Sequence, residues 1–225
     1  MKRFYADVHV TPDFGISLDA RPVRTPAKAM LLLPTLGMAE AVAEEWRVQG
    51  ERVNPHSMPL TGLANAAIDR IGPEFAAGLS QYGESELLCY RAGEPPELVA
   101  RQDAVWNPIL DWAQARYDVS FTLVTGIMHQ PQPAAMLSRL HAAVAARNAF
   151  ELAALNPLVT ISGSLVIALA VLERALEPEA AFAAAHLDEL WQAEQWGEDD
   201  FALEARAVHH RDFGSAARFL RLLDG

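Results

Sequence analysis

The chain has 225 residues and a formal net charge of −11 at pH 7, with 51% hydrophobic and 21% charged residues. This composition is that of an ordinary globular protein, and the length allows one large domain or two small ones with a sizeable core. The acidic balance argues against nucleic acid and anionic membrane surfaces as partners, but permits a basic protein partner. A single cysteine, Cys89, excludes an internal disulfide and any multi-cysteine metal cluster.

Neither a secretion signal nor a membrane-spanning segment is predicted. Met1-Lys-Arg-Phe-Tyr5 runs directly into an alternating pattern without an apolar signal core or an Arg/Ser-rich presequence. The longest apolar run, Leu165 to Leu172, is too short to cross a bilayer. We therefore expect no stable membrane insertion and a location in a bacterial cytoplasm, or in the mitochondrial matrix if the protein is eukaryotic and already processed.

The first 34 residues carry the pattern of a small antiparallel β domain. Apolar and polar residues alternate from Phe4 to Val10, which predicts a half-buried strand. Three more short strands, separated by turns such as 19–22, are predicted at 16–18, 23–25 and 30–33. Pro34 ends this region, so we place a domain boundary after residue 34 that could extend to about residue 60.

Residues 35–225 predict a larger, mainly helical domain, which makes the fold class α+β. Thr35 is the predicted N-cap of a helix in which Trp46 lies on the apolar face and serves as a core anchor. Thr61 is the predicted cap of the second helix. A long helix follows from Glu97 to Asp118, in which Pro108 marks a kink or a restart.

The second half of the chain contains one strand signal and several more helical ones. Residues 119–123 alternate and predict a strand. The segment from Ile161 to Leu172 is apolar nearly all round, which predicts a central buried helix in which Gly163 allows a close neighbour. The final helical stretch, Phe201 to Leu223, is predicted to be interrupted near 212–214.

The stretch from Leu187 to Asp200 has two faces when it is placed on a helix. Leu187, Leu190 and Trp191 fall in an apolar sector, so Trp191 is predicted to pack inside. Trp196 falls among polar residues on the opposite side, and its bulky ring is typical of a protein interaction site. The alternative is that Trp196 caps its own helix against the segment after Gly197.

Candidate catalytic groups are sparse. Cys89 lies beside Arg91, which could lower a thiol pKa, although a buried cysteine is the simpler interpretation. The acidic cluster around Glu198, and the pair Glu84 and Glu86, place carboxylates together, but acid–base work requires a pocket that separates their pKa values. The spacing of the histidines predicts no metal site, and no motif predicts a cofactor.

Several motifs in order nevertheless resemble a known family. They are Arg21-Pro-Val-Arg-Thr-Pro-Ala-Lys28, Glu44-Glu-Trp46, Met58-Pro-Leu-Thr61, Leu87-Leu-Cys-Tyr-Arg91, Trp106-Asn-Pro108, Ser162-Gly-Ser164 and Trp191-Gln-Ala-Glu-Gln-Trp-Gly197. Together they resemble, over nearly the whole chain, the assembly chaperones for the alpha subunit of the F1 ATP synthase. The sequence departs from the family pattern at Ala20, where glycine is expected, and at Asn107, where aspartate is usual.

The resemblance implies a non-catalytic chaperone that binds unassembled alpha subunit on the surface that the beta subunit later covers. It implies a functional acidic position in the penultimate helix, matched best by Glu189, with Asp188 as the alternative. The predicted contact face therefore comprises Asp188, Glu189, Gln192, Trp196 and Glu198, on a chain that is a monomer when free. The competing hypothesis is an enzyme of unknown type that uses Cys89 or the acidic cluster around Glu198.

Overall fold

The computed structural model describes residues 2–224 and confirms the α+β class, with a small antiparallel sheet near the N-terminus followed by helices. The strands are β1 (Val8–Val10), β2 (Ile16–Leu18), β3 (Arg21–Pro22), β4 (Tyr90–Arg91) and β5 (Val124–Thr125). The helices are α1 (Leu36–Arg47), α2 (Pro59–Asp69), α3 (Pro73–Ser80), α4 (Pro96–Tyr117), α5 (Ala134–Ala145), α6 (Ala149–Ser162), α7 (Leu165–Leu172), α8 (Pro178–Ala185), α9 (Leu187–Trp196) and α10 (Asp200–Arg221). None of the helices within residues 2–224 combines the length and the apolar composition of a membrane span.

The N-terminal sheet has the order β1-β2-β3, with Val8 opposite Leu18 and Val10 opposite Ile16. Val8, Ile16 and Leu18 are buried on one face, as their alternation requires. The predicted turn over 19–22 was wrong in its second half, because residues 21–22 form β3, which pairs with β2. The strands predicted at 23–25 and 30–33 do not form, and the segments around Arg24 and Met30 are joined only by an isolated bridge across a turn in which Lys28 has a φ of 70°.

The first helices are fixed by caps, one predicted and one not. Thr35 caps α1 as predicted, and its hydroxyl accepts a hydrogen bond from the Met38 N–H at 3.1 Å. The prediction that Thr61 caps α2 was wrong, since α2 begins at Pro59 and has no side-chain cap of its own. The buried Glu45 carboxylate takes that role, accepting from the backbone N–H groups of Leu60 and Thr61, both at 2.8 Å.

Trp46 lies near the end of α1 and is half-buried. Its ring packs edge-on against Tyr5, with the ring centroids 5.9 Å apart, and its carbonyl accepts a 2.7 Å hydrogen bond from the Tyr5 hydroxyl. These contacts tie the N-terminal segment to α1. They agree with an anchoring role for Trp46, which stays a prediction until it is tested by substitution.

The chain folds into two compact units. The first contains residues up to Gly72 together with Asn148–Ala154 and the end from Ser215; the second contains Pro73–Arg147 and Leu155–Gly214. Helices α6 and α10 each contribute residues to both units. A domain boundary at residue 34 stays a prediction, because compactness alone does not show which segments fold independently.

In the second unit, α7 forms the centre of the core, and all eight of its residues are buried. The predicted helix over 161–172 is divided at Gly163, whose φ of +66° ends α6. A methyl group built on Gly163 would meet no heavy atom within 4 Å, so this position requires glycine for its left-handed backbone and not for a close neighbour. Ser164 then caps α7, its hydroxyl accepting from the Ile167 N–H at 2.9 Å.

Three other predictions change in this unit. Pro108 lies inside a continuous α4, so it marks no restart. The predicted strand over 119–123 is displaced to β5, which pairs in parallel with β4. Helix α10 runs without interruption through Gly214.

Candidate functional site

Helices α9 and α10 are joined by a short corner at Gly197. Gly197 has φ 89° and ψ 168°, a conformation that is essentially restricted to glycine. It ends α9, and its N–H bonds the Ala193 carbonyl at 2.9 Å. The Asp199 carboxylate then accepts from the Phe201 N–H at 2.9 Å and caps the start of α10. The sequence therefore folds here into two separate helices, with Gly197 ending one and Asp199 capping the next.

Side chains from both helices line a groove beside this corner, with a volume of about 390 Å³. We call it the α9–α10 groove. Its lining residues are Glu189, Gln192, Ala193, Trp196, Gly197, Glu198, Asp199, Ala202, Ala205, Arg206 and His209. Four of the five predicted contact residues, Glu189, Gln192, Trp196 and Glu198, are thus brought together in one concave surface.

Trp196 is the most prominent side chain of the groove, with 76% of its surface exposed. Its ring meets Trp191 edge-on, with the centroids 5.9 Å apart. Trp191 is itself only half-buried, less enclosed than the apolar sector predicted. An indole held on one edge and open elsewhere offers a large apolar surface at low conformational cost.

Charge in the groove is predominantly negative. Three carboxylates, those of Glu189, Glu198 and Asp199, are set against the guanidinium of Arg206. Arg206 Nη1 bonds Glu198 Oε1 at 2.9 Å, and its Nε lies 3.9 Å from Glu189 Oε2. That Nε is buried and makes no hydrogen bond. The groove thus has a negative excess that the single guanidinium of Arg206 only partly offsets.

Asp188 lies elsewhere. It is half-buried, and its Oδ1 accepts a 2.8 Å hydrogen bond from Gln102 Nε2. Gln102 is almost fully buried, and its own carbonyl oxygen accepts from the Ala92 N–H at 2.8 Å. Of the two candidate acidic positions, Glu189 therefore faces the groove, whereas Asp188 is bonded to the interior of the second unit.

The cysteine and the carboxylates considered in the competing enzyme hypothesis are not arranged as a reactive site. Burial raises the pKa of the Cys89 thiol to about 12, with a further contribution from Glu86, so the thiolate that a nucleophile needs is disfavoured. Glu86 is fully buried, whereas Glu84 is exposed, so these two carboxylates do not share a site. Within residues 2–224, no group of three or more His, Cys, Asp or Glu side chains is placed to hold a metal ion.

Comparison with known proteins identifies the family. The model of the family described as "ATP12 chaperone protein" matches residues 2–114, half of the chain. The chain belongs to the ATP12 chaperone family. The resemblance found in the ordered motifs is thereby confirmed.

Relatives of this ATP12-family protein extend over most or nearly all of the chain. The crystal structure of Atp12 from Paracoccus denitrificans is 38% identical, with a TM-score of 0.92 over 99% of this chain and 98% of that one. A protein from Agrobacterium tumefaciens is 43% identical, with the same TM-score, over 99% of this chain and 86% of that one. Mitochondrial atp12 of Schizosaccharomyces pombe is 24% identical over 81% of this chain and 68% of its own length.

Two features of this ATP12-family chain escape prediction from the sequence. Arg206 and the 83%-exposed Phe201 both come from α10, whose first half is almost entirely exposed. A second exposed apolar site is the loop after β5, where Ile127 is 94% and Met128 75% exposed. Residues 119–138 contain no Asp, Glu, Lys or Arg, but neither do the mostly buried residues 152–172, so this absence by itself does not indicate an exposed loop.

Proposed function

We propose that this protein is an assembly chaperone for the F1 ATP synthase that binds the unassembled alpha subunit and shields the surface later covered by the beta subunit. Family membership supports a chaperone, and the ordered motifs resemble the family to which this activity is ascribed. The observation that carries the proposal is Trp196, a 76%-exposed indole in an acidic groove. An exposed aromatic of this kind is typical of the centre of a binding surface.

The chemistry of the groove suits a reversible shield. An orphan subunit exposes apolar surface that aggregates, so its binder must cover that surface and later yield it. The indole of Trp196 provides apolar contact, while Glu189 and Glu198 favour a basic residue of the partner at the rim. A mixed surface of this kind gives a specific but moderate affinity, so the beta subunit can bind more tightly and displace the chaperone.

In this proposal the free chaperone is a monomer, which leaves the α9–α10 groove open to the alpha subunit. It acts without catalysis, in the compartment where the subunits are assembled. That compartment is the cytoplasm in a bacterium and the matrix in a mitochondrion.

The test is binding of purified variants to isolated alpha subunit, measured by biolayer interferometry. Trp196→Ala and Glu189→Lys are each expected to weaken binding about 30-fold or more, the loss typical of a hot-spot residue. Both side chains are exposed, so the circular dichroism spectrum and melting temperature should be unchanged. Added beta subunit should release the wild-type chaperone from alpha.

Glu74→Lys is the matched control, because Glu74 is an exposed glutamate of α3 and does not line the α9–α10 groove. It makes the same charge change and should bind alpha like the wild type. If Glu74→Lys and Glu189→Lys weakened binding of the alpha subunit equally, the effect would come from the change in net charge and not from the groove. Unchanged affinity for Trp196→Ala would place the contact surface elsewhere.

A further inference from the structure

The lining of the α9–α10 groove indicates which kind of partner side chain it receives. Four of its residues are small, which leaves the space between the larger side chains open: Ala193, Gly197, Ala202 and Ala205. The resulting volume of about 390 Å³ lies within the range of roughly 300–1,000 Å³ that is usual for ligand-binding clefts. The chemistry of an occupant is therefore decided by the larger side chains around this space.

The carboxylates of the groove differ in how far they are already engaged. Glu198 Oε1 pairs with Arg206 Nη1 at 2.9 Å, and Asp199 Oδ1 accepts from the backbone N–H of Phe201 at 2.9 Å. Glu189 is beyond hydrogen-bonding distance of Arg206, since its Oε2 lies 3.9 Å from the guanidinium Nε. The Glu189 side chain is also 65% exposed. Glu189 is thus the carboxylate that is most open to a cation from a partner.

The indole of Trp196 lies on the same side of α9 as Glu189. The two residues are seven positions apart, which places side chains on nearly the same face of an α-helix, and both line the groove. The contact of Trp196 with Trp191, five residues earlier, shows that its ring leans towards the start of the helix. Gln192 is exposed and lines the groove between Glu189 and Trp196. This face of α9 therefore presents a carboxylate, an amide and an aromatic ring in a row.

A guanidinium is the group that complements this row. Three carboxylates are set against the single cation of Arg206, and His209 is the remaining titratable residue of the lining, so one more positive charge is favoured. The face of an indole attracts a cation. A planar guanidinium can stack on the ring and donate to an adjacent carboxylate at the same time, whereas the ammonium of lysine acts as a point charge. Arginine therefore fits the groove better than lysine.

We infer that the α9–α10 groove receives one arginine side chain of the partner, stacked on the Trp196 indole and paired with Glu189. The amide oxygen of Gln192 accepts a further guanidinium N–H, and Arg206 keeps its internal pair with Glu198. The inference rests on the proposed function only for the identity of the partner.

The experiment titrates the full chain, without alpha subunit, with N-acetyl-arginine N-methylamide in a buffer of low salt, and follows the indole N–H signals of the five tryptophans by NMR. The Trp196 signal, assigned with Trp196→Phe, should shift saturably, with a dissociation constant of about 1–10 mM for so small a probe. The citrulline derivative has the shape of the arginine probe without its charge, and the lysine derivative has the charge without the planar group. Each should bind about fivefold more weakly or worse.

Glu189→Gln tests the carboxylate without removing hydrogen-bonding capacity. It should weaken binding of the arginine probe about fivefold or more, because the charge opposite the guanidinium is lost. Glu74→Gln is the matched control, since Glu74 is an exposed glutamate of α3 that does not line the groove. This control variant should bind the probe like the wild type.

Three results would overturn the inference: a Trp196 signal that does not move up to the solubility limit of the arginine probe, equal binding of the citrulline or the lysine derivative, or equal binding by Glu189→Gln and Glu74→Gln. If the chain nevertheless binds alpha subunit, the proposed function stands without the arginine site. If the arginine probe binds as expected but alpha subunit does not bind, the arginine site stands and the proposed function fails.

Discussion

The start of α7 and the α9–α10 groove both bring glutamates close to helix ends. The glutamate at α7 is closed off from solvent, whereas those of the groove are open to it. At α7, Glu86 is fully buried and accepts from the N–H of Val166 at 3.1 Å. In the groove, Glu189 and Glu198 keep side-chain exposures of 65% and 42% while they face Arg206. A glutamate in the core thus joins distant segments of the chain, whereas a glutamate at the surface remains available to a partner.

The difference follows from what surrounds each carboxylate. Glu86 lies in an apolar core, where burial raises its pKa to about 7 even though the Ser164 hydroxyl and three backbone N–H groups favour the charged form. Glu45 has the same arrangement in the first unit, where burial likewise raises its pKa against the bonds from Thr61 and Leu60. In both cases the glutamate closes a helix N-terminus from another part of the chain, so these buried acids are structural.

The largest predicted effect is that of deleting the buried acid. Glu86→Ala removes the acceptor of the Val166 and Leu88 N–H groups and leaves a cavity, so it should lower the free energy of unfolding by about 3–5 kcal/mol. The midpoint of urea denaturation measures the loss. Glu84→Ala, at an exposed position two residues away, is the control and should remain within about 0.5 kcal/mol of the wild type. Similar midpoints for the two variants would mean that Glu86 closes no helix.

Local features of the fold were predictable, and distant pairings were not. The cap at Thr35 and the buried character of α7 follow from residues that are neighbours in the sequence. Glu86 accepts a hydrogen bond from Val166, which is 80 positions away in the sequence. The residues around Glu86 show only a second glutamate nearby, and nothing in them indicates this partner. Thr61 was assigned to a helix start because Thr is a common cap, whereas the partner that decides its role, Glu45, lies in another helix.

The candidate site divides in the same way. The outward position of Trp196 follows from the helical period of one segment, and its exposure agrees with that. The second wall, with Arg206, comes from α10, and no local pattern indicates that it turns back onto α9. The choice between Asp188 and Glu189 also needed the structure, because it depends on Gln102 in α4.

The pH dependence of stability gives a second, smaller effect of the buried acid. Burial raises the pKa of Glu86 to about 7 in the folded protein, against an ordinary value of 4.5, so the folded state holds the extra proton between these values. Its contribution to stability is complete below pH 4.5 and is lost as the pH rises towards 7, by up to about 3 kcal/mol. The check is the free energy of unfolding of the wild type minus that of Glu86→Gln, from urea titrations at several pH values. This difference should fall with rising pH, and a constant difference would show that Glu86 titrates normally when folded.

The smallest predicted effect belongs to the groove. Glu189→Gln and Glu198→Gln should each change the free energy of unfolding by less than about 0.5 kcal/mol, because ion pairs this exposed are screened by water. The amide oxygen introduced by Glu198→Gln can still accept from Arg206 Nη1, and Glu189 lies too far from Arg206 for Glu189→Gln to remove a hydrogen bond. Urea denaturation of the two variants measures this directly. A loss as large as that of Glu86→Ala would make the groove glutamates structural too, and the contrast between a closed and an open set of carboxylates would disappear. A negligible loss, combined with weaker binding of alpha subunit, would mean that their charge is maintained for a partner and not for the fold.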